Sequence, residues 1–568
     1  MRSKNAFRRG LPAPLAVALA LCGPPVFAQA PEAEPTPSPN PPVYRHAESV
    51  VVQAIRADAE TPVTKKDLDL GEIERLDRGQ EMPLLLQQAP SMTGYSDGGL
   101  GAGYSYFYIR GIQQTRVNMT LDGAPLNEPE DSALYFADFG GFAGALSSMQ
   151  IQRGVGASTV GTASFGGSIN FESVDPCDKA SLAAVVALGS FDSRRGSLDL
   201  HSGPLPGKLA LYGRVAYQDT EGFRDHSGVR QRTVFFGASR PGGRSLFKLS
   251  GFSGDERSQL AFLASEADVL ERDPRDNPLD PAERDHFGQD FVQAQYTRFV
   301  GASSSVAVQG YYDGAGGWYR IWEDPAHAAL LQYGLDWRLV GGLLSFDHAR
   351  DRWSLTWSVH ANDFESRHAQ DVVDGPHTYA NRGFKSEANT FAKLGYRAGR
   401  FQLYGDAQLR HASFRYEGSV PQGSVGWTFF NPKLGARFRA SASLAFYASA
   451  GRALREPARM DMLSGEDNAT IVYDLGAVKP ERLADFETGV EYSSGDLQAQ
   501  LVAYAMEFHD EIALSGELSE IGLPLRRNVD RSYRRGLELD LGARLGPKLG
   551  LRATANMNNS RIREWTQF

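Results

Sequence analysis

Residues able to do chemistry are few in this chain, and most of them argue against catalysis. Gly94-Tyr95-Ser96-Asp97-Gly98 fits the G-x-S-x-G pattern of a nucleophilic serine. Such a serine works only on a strained strand-to-helix turn, and the surrounding residues predict a glycine-rich loop instead. The 11 His follow no zinc-ligand spacing, and no phosphate-cradling loop is present. The expectation is a non-enzyme without catalytic residues, cofactor or bound metal. Binding is better supported. Tyr95, Tyr104, Tyr106 and Tyr108 form one aromatic run, and Trp318-Tyr319-Arg320-Ile321-Trp322 forms another. Rings beside an arginine suit a planar, anionic, partly apolar ligand. For 318–322 an aromatic girdle at a membrane interface competes with ligand contact. Between 255 and 287, Asp268, Glu271, Asp273, Asp276, Asp280, Glu283 and Asp285 would suit calcium, although a solvated loop explains them more simply.

The elements that must position these residues follow from composition and periodicity. The chain has 568 residues, 42% hydrophobic and 11% aromatic, with 60 Gly and only 2 Cys. No apolar run reaches the roughly 18 residues of a membrane-spanning helix, and disulfides cannot be the scaffold. The net charge of -9 speaks against a nucleic-acid partner. Residues 1–28 read as a secretory signal: Arg2, Lys4, Arg8 and Arg9 precede an apolar core at Leu15 to Cys22, and Ala28 offers a cleavage site. Its removal takes four basic residues and no acid, moving the charge from -9 to -13. Residues 29–47 are a proline-rich linker. The stretch Glu48, Ser49, Val50, Val51, Val52, Gln53 and Ala54 follows; it reads as an edge strand or as a segment offered to a partner for strand addition.

Residues 60–175 mix short helices, expected at Pro83–Gln88 and Phe142–Met149, with strands such as Val117 to Leu121, which Asp122-Gly123 turns into a hairpin. From 178 to 568 the period is two. Phe401, Leu403, Ala407 and Leu409 alternate with Gln402, Tyr404, Asp406, Gln408 and Arg410. Similar alternation marks Leu355 to Ala361 and Leu537 to Ala543, over the roughly 10 residues a tilted strand needs to cross a bilayer. Tight turns such as Pro241-Gly242-Gly243 alternate with long polar stretches near 255–287, 314–330, 366–384 and 452–479. That asymmetry predicts an antiparallel transmembrane barrel of about 17 strands rather than a soluble sandwich. An odd count should not close, so the barrel is expected to be incomplete at its C-terminus.

Order and spacing of short motifs resemble the TonB-dependent outer-membrane receptors over nearly the whole chain. The segments are Tyr108-Ile109-Arg110-Gly111 through Val117 to Asn127, Ile151-Gln152-Arg153-Gly154, Phe165 to Asn170, Lys479-Pro480-Glu481, Phe486-Glu487-Thr488-Gly489 and Arg535-Gly536-Leu537-Glu538. The resemblance implies an α/β plug inside a mainly β barrel of 22 strands when intact, and residues 48–54 as the box gripped by a TonB-type inner-membrane energising complex. It also implies that Arg110 and Arg153 pair with Glu487 and Glu538 to lock plug to barrel. The implied function is energised uptake, across the outer membrane of a Gram-negative cell, of a scarce ligand such as a ferric siderophore. Cobalamin, a saccharide or a peptide as cargo, or a passive porin or adhesin, are the alternatives.

Overall fold

A computed structural model describes residues 55–564, apart from 159, 162–163, 177–178, 324–325, 519–523 and 547. The leader, the linker and the candidate box at 48–54 lie outside the described residues.

The plug forms first along the chain. Helix Leu70–Leu76 begins with a reciprocal cap: the Asp69 carboxylate accepts from the Glu72 N–H, and Glu72 accepts from the Asp69 N–H. A five-stranded sheet takes the order Lys65–Asp69, Leu146–Arg153, Gly167–Ser173, Val117–Leu121, Ala124–Pro125. The turn between the last two carries positive φ at Asp122 (48°) and Gly123 (95°), as a tight hairpin requires. The helix expected at Pro83–Gln88 is Met82–Leu85, continued as a 3₁₀ turn over Leu86–Gln88. The one expected over Phe142–Met149 is corrected to a 3₁₀ turn at Phe142–Ala145, because Leu146 already enters a strand paired on both sides. A second sheet joins Met92–Ser96, Ser105–Ile109 and Ile112–Gln113. Its alternation sends Phe107, Ile109 and Ile112 into the interior and turns Tyr106 and Tyr108 the other way.

Among the described residues the wall is an antiparallel sheet of seventeen strands, from Ser181–Leu188 to Leu549–Ile562. Period two decides its faces. Leu403, Leu409, Trp357, Val359 and Leu537 point outward and are exposed, while Asp406, Gln408, Arg410 and Glu538 are buried toward the lumen. An apolar outer belt around a polar lumen is what a bilayer selects. The expectation that an odd count should not close bears on one seam: the strand order is cyclic, with Leu549–Ile562 next to Ser181–Leu188. Sixteen antiparallel steps make those two run the same way. Both are exposed along their whole length, and no ladder of paired residues joins them among the described residues.

Two of the expected long loops are corrected as well. Most of 314–330 and 366–384 is strand, in Ser304–Trp322, Leu330–Arg350, Trp353–Val372 and His377–Ala398. These strands of 19 to 22 residues far exceed what a bilayer needs. Above the lipid both faces meet water, so the apolar alternation fades although the ladder continues. The long connections that remain are 260–283 and 456–480.

Candidate functional site

The plug meets the wall differently on its two sides. On one, Arg110 stands in the left-handed region at φ 51°, held by its N–H to the Ser91 carbonyl at 2.8 Å. Its guanidinium donates through Nε and Nη2 to the two oxygens of Glu538 at 2.8 and 3.0 Å, and through Nη1 to Glu487 at 2.5 Å. Arg153 adds Nε to Glu538 at 3.0 Å. The ring of Tyr504 lies 3.9 Å from the Arg110 guanidinium carbon. Glu487 also accepts from Thr64 Oγ1 at 2.6 Å. Burial opposes the charge on Arg110, but Glu538 and Glu487 outweigh it and raise its pKa well above the ordinary arginine value. Gly154 has no tolerable replacement, since a Cβ would fall 2.2 Å from Asp485 and 2.7 Å from Glu487 at a φ of 69°. All four sequence-expected lock residues therefore meet in one buried cluster.

Sequence reasoning missed its neighbours. Arg116 pairs with Glu481 at 3.1 Å, and Arg455 reaches the same carboxylate at 3.1 Å. The signal was present, because Glu481 belongs to the quoted Lys479-Pro480-Glu481 motif. Also missed was the plug loop around 128–132. His368 binds Glu130 at 2.9 Å, Arg459 binds Asp131 at 3.0 Å, and Lys385 donates to the Pro129 carbonyl at 2.6 Å.

The opposite side has fewer ion pairs, Lys248 of the wall with Asp122 at 3.8 Å and Arg195 with Asp77 at 2.7 Å, and relies on rings. Phe139 stacks on Phe252 of the wall at 4.5 Å, Phe252 on Phe291 at 5.4 Å, and Phe142 packs nearby. Above these rings Glu81 and Asp138 of the plug face Glu256, Asp285 and Asp313 of the wall, all five buried. None of the five takes part in an ion pair among the described residues. Neutral donors serve some of them: Gln231 reaches Glu81 at 2.7 Å and Gln289 reaches Asp313 at 2.8 Å. Asp138 Oδ1, Glu256 Oε2 and Asp313 Oδ2 have no hydrogen-bond partner among the described residues. Burial pushes the Glu81 carboxyl up to about 8. Burial, then the facing Asp285, Glu81 and Asp313, holds Asp138 well above the carboxylate range.

The ligand-contact candidates separate. Tyr95, Tyr106 and Tyr108 share one face of the three-stranded sheet, with Tyr95 at 5.3 Å from Tyr106 and 6.3 Å from Tyr108. Tyr104 sits apart, its hydroxyl 3.4 Å from Glu256. In the second run the strand divides the residues. Tyr319 faces the lumen and stacks on Tyr333 at 4.9 Å. Trp318, Arg320 and Trp322 lie on the other face, Arg320 over the Trp318 ring at 4.6 Å and Trp322 on His327 at 4.6 Å. Arg320 therefore does not join the plug tyrosines. Ser96 accepts from the Gly101 N–H at 3.3 Å within the glycine-rich loop.

No curated protein matches the chain in sequence. Solved structures do match its fold. A copper transporter, OprC, superposes with a TM-score of 0.74 at 17% identity, over 89% of this chain and 82% of that one. The ferric citrate transporter FecA gives 0.75 at 14%, over 89% and 79%. The ferric yersiniabactin uptake receptor FyuA from Yersinia pestis gives 0.70 at 15%, again over 89% and 79%. At such identities the likeness concerns the fold alone. The family models are more specific: the TonB-dependent receptor plug domain matches residues 57–168, and the TonB-dependent receptor-like β-barrel matches 207–566. Members of this family are outer-membrane transporters of Gram-negative bacteria, not enzymes. A plug ion-paired through Arg110 and Arg153 to a barrel with an apolar outer belt, and two family models that cover most of the sequence, lead to one conclusion: the chain belongs to the TonB-dependent receptors.

Proposed function

We propose that the protein imports an iron chelate, most simply a ferric siderophore, by energy-coupled displacement of its plug. The observation that carries this reading is the plug itself, seated by the Arg110–Glu538–Arg153 cluster on one side and by ring packing on the other. Separating one buried ion pair from its partner costs about 3–5 kcal/mol, so thermal opening is rare and passage needs work. Residues 1–28 direct export, and residues 48–54 supply the strand that a TonB-type inner-membrane complex pairs with and pulls. Two of the three structures above are named for ferric ligands, which favours iron over the other cargoes.

The test is Val51→Pro. Proline removes a backbone donor from the added strand. Uptake of radiolabelled ferric chelate by cells carrying the variant should fall to background, while chelate binding at the cell surface stays at the level of the unsubstituted protein. Unimpaired uptake would remove the box assignment. Expression that does not respond to iron starvation would turn the cargo reading away from iron.

A further inference from the structure

Arg526 is the exception among the arginines around the plug apex. Arg116 and Arg455 share Glu481, and Arg459 holds Asp131 and Asp467. Arg526, on the wall strand Pro524–Gly546, has no carboxylate within ion-pair distance among the described residues. Among the described residues its side chain donates one hydrogen bond, from Nη2 to the neutral Gln113 Oε1 of the plug, at 2.7 Å. Nearby stand the like charges of Arg116 and Arg455, with Asp461 shared among all three. That carboxylate is already engaged, accepting the Ala458 N–H at 3.0 Å as a helix cap. Counting Arg534 with its partner Glu511 at 2.6 Å, the corner thus holds four guanidinium groups against the carboxylates of Glu481, Asp461 and Glu511. A partly desolvated guanidinium whose counter-charge is shared with two other arginines costs free energy that an arriving anion would recover.

What Arg526 borders gives the anion its shape. Strand pairing sets Thr93 opposite Tyr108, Tyr95 opposite Tyr106, and Tyr108 opposite Gln113, so all five share one face of the small plug sheet. Gln113, the anchor of Arg526, is therefore the next rung of the tyrosine platform. Tyr95 is half exposed at 46%, so the platform opens outward. At its far end stands Asp97, which burial pushes up to about 7, with Arg224 opposing and Asp285 adding to the rise. One end is positive, the middle is flat and hydroxyl-rich, and the other end is acidic.

We infer that Arg526 is the specificity-determining residue for the cargo, receiving an anionic oxygen group of a chelate whose flat face rests on Tyr95, Tyr106 and Tyr108. This rests on the chelate reading above and adds to it the sign of the charge and the residue that reads it. Arg320, which the sequence suggested for this role, is on the wrong face of its strand.

The experiment measures binding to the full-length protein in detergent, by quenching of intrinsic fluorescence, with two probes: an anionic ferric tris-catecholate and an uncharged ferric trihydroxamate. The unsubstituted protein should bind the anionic probe at least tenfold more tightly. Arg526→Gln should erase that preference, losing at least tenfold for the tris-catecholate and less than twofold for the trihydroxamate. Arg526→Lys keeps the charge without the fork and should fall between. Unchanged circular dichroism of the variants keeps the comparison valid, and Tyr95→Ala, on a separate element, should weaken both probes. If both probes bind and Arg526→Gln leaves their ratio unchanged, the inference is overturned while the chelate reading stands. If the unsubstituted protein binds neither probe, the chelate reading fails and the inference with it.

Discussion

The plug is attached mainly by a buried ionic cluster on one side and mainly by aromatic packing on the other, where Lys248–Asp122 and Arg195–Asp77 are the ion pairs, and the two respond to different variables. Around the strands Glu481–Ser494 and Pro524–Gly546 three plug arginines meet wall carboxylates. Around Ser245–Gln259 and Arg284–Val300 phenylalanines interleave, and carboxylates face carboxylates above them. A buried ion pair is expensive to desolvate and very expensive to split. It gives an all-or-none anchor whose strength depends on keeping every partner. Aromatic burial is graded, non-directional and indifferent to pH. The facing acids add a term of opposite sign, because they tolerate each other only while protonated. One side is therefore a latch that fails when a partner is lost, and the other is a seat that loosens as the medium becomes alkaline.

The largest effect should come from the latch. Glu538→Ala leaves Arg110 with Glu487 alone and Arg153 with only Gln500, at 3.4 Å. Two buried guanidinium groups lose their partner together, at about 3–5 kcal/mol by analogy with other broken buried pairs. Hydrogen exchange of the plug strand Val117–Leu121 should accelerate correspondingly, and single-channel conductance should rise. Arg153→Ala added to Glu538→Ala should cost less than the sum of the two single changes, because they remove one shared contact. Additive costs would mean that the cluster is not a unit.

The seat should give a smaller and differently shaped response. Phe139 is fully buried and stacks on Phe252 at 4.5 Å. Phe139→Ala should cost about 3 kcal/mol of plug stability, and the same amount at pH 5 as at pH 8. A loss that varied with pH would show that the rings and the acids above them do not act separately.

The two sides also differ in how well the sequence announces them. Arg110, Arg153, Glu487 and Glu538 are visible because each sits in a short motif with a fixed neighbour, and parity alone puts Glu538 on the polar side of its strand. Glu481 stands in such a motif too, but Arg116 lies on a 3₁₀ turn, Gln114–Arg116, where neither period two nor a motif announces its direction. Nothing local marks the acid face. Glu81, Asp138, Glu256, Asp285 and Asp313 are separated by up to 118 positions between neighbours, and each reads as an ordinary polar residue until the barrel brings them together. Period two exposed the barrel and its strand number, whereas the loop lengths were misread wherever strands rise out of lipid and lose their apolar face. Arg320 shows the same limit on a small scale, since an aromatic–arginine run says nothing of which rings share a side.

The smallest effect is the one that sharpens the comparison most. Glu81 in the seated plug faces Gln231 and the Gly103 N–H, with Arg195 and Asp77 farther off, and its carboxyl is pushed up to about 8 by burial. Released into water the same group titrates near its ordinary 4.5. Below that value it is neutral in both states and costs nothing. Between about 4.5 and 8 the seated plug binds a proton that the released plug does not, so seating weakens as pH rises, by about 1.4 kcal/mol per pH unit for each such group. Above about 8 the loss is complete. Asp138, raised in the same direction by burial and by Asp285, Glu81 and Asp313, steepens the slope. Glu81→Gln keeps an oxygen for Gln231 and cannot ionise. Plug protection in the variant should match the unsubstituted protein at pH 5 and exceed it at pH 8, with a shallower slope between, and Asp138→Asn should flatten it further. The measurement is hydrogen exchange of Val117–Leu121 across pH 5 to 8, corrected for intrinsic exchange rates. A plug equally protected at both ends of that range, or a Glu81→Gln variant that keeps the full slope, would mean that these carboxyls are ionised in the seated plug and that the seat carries no alkaline weakness.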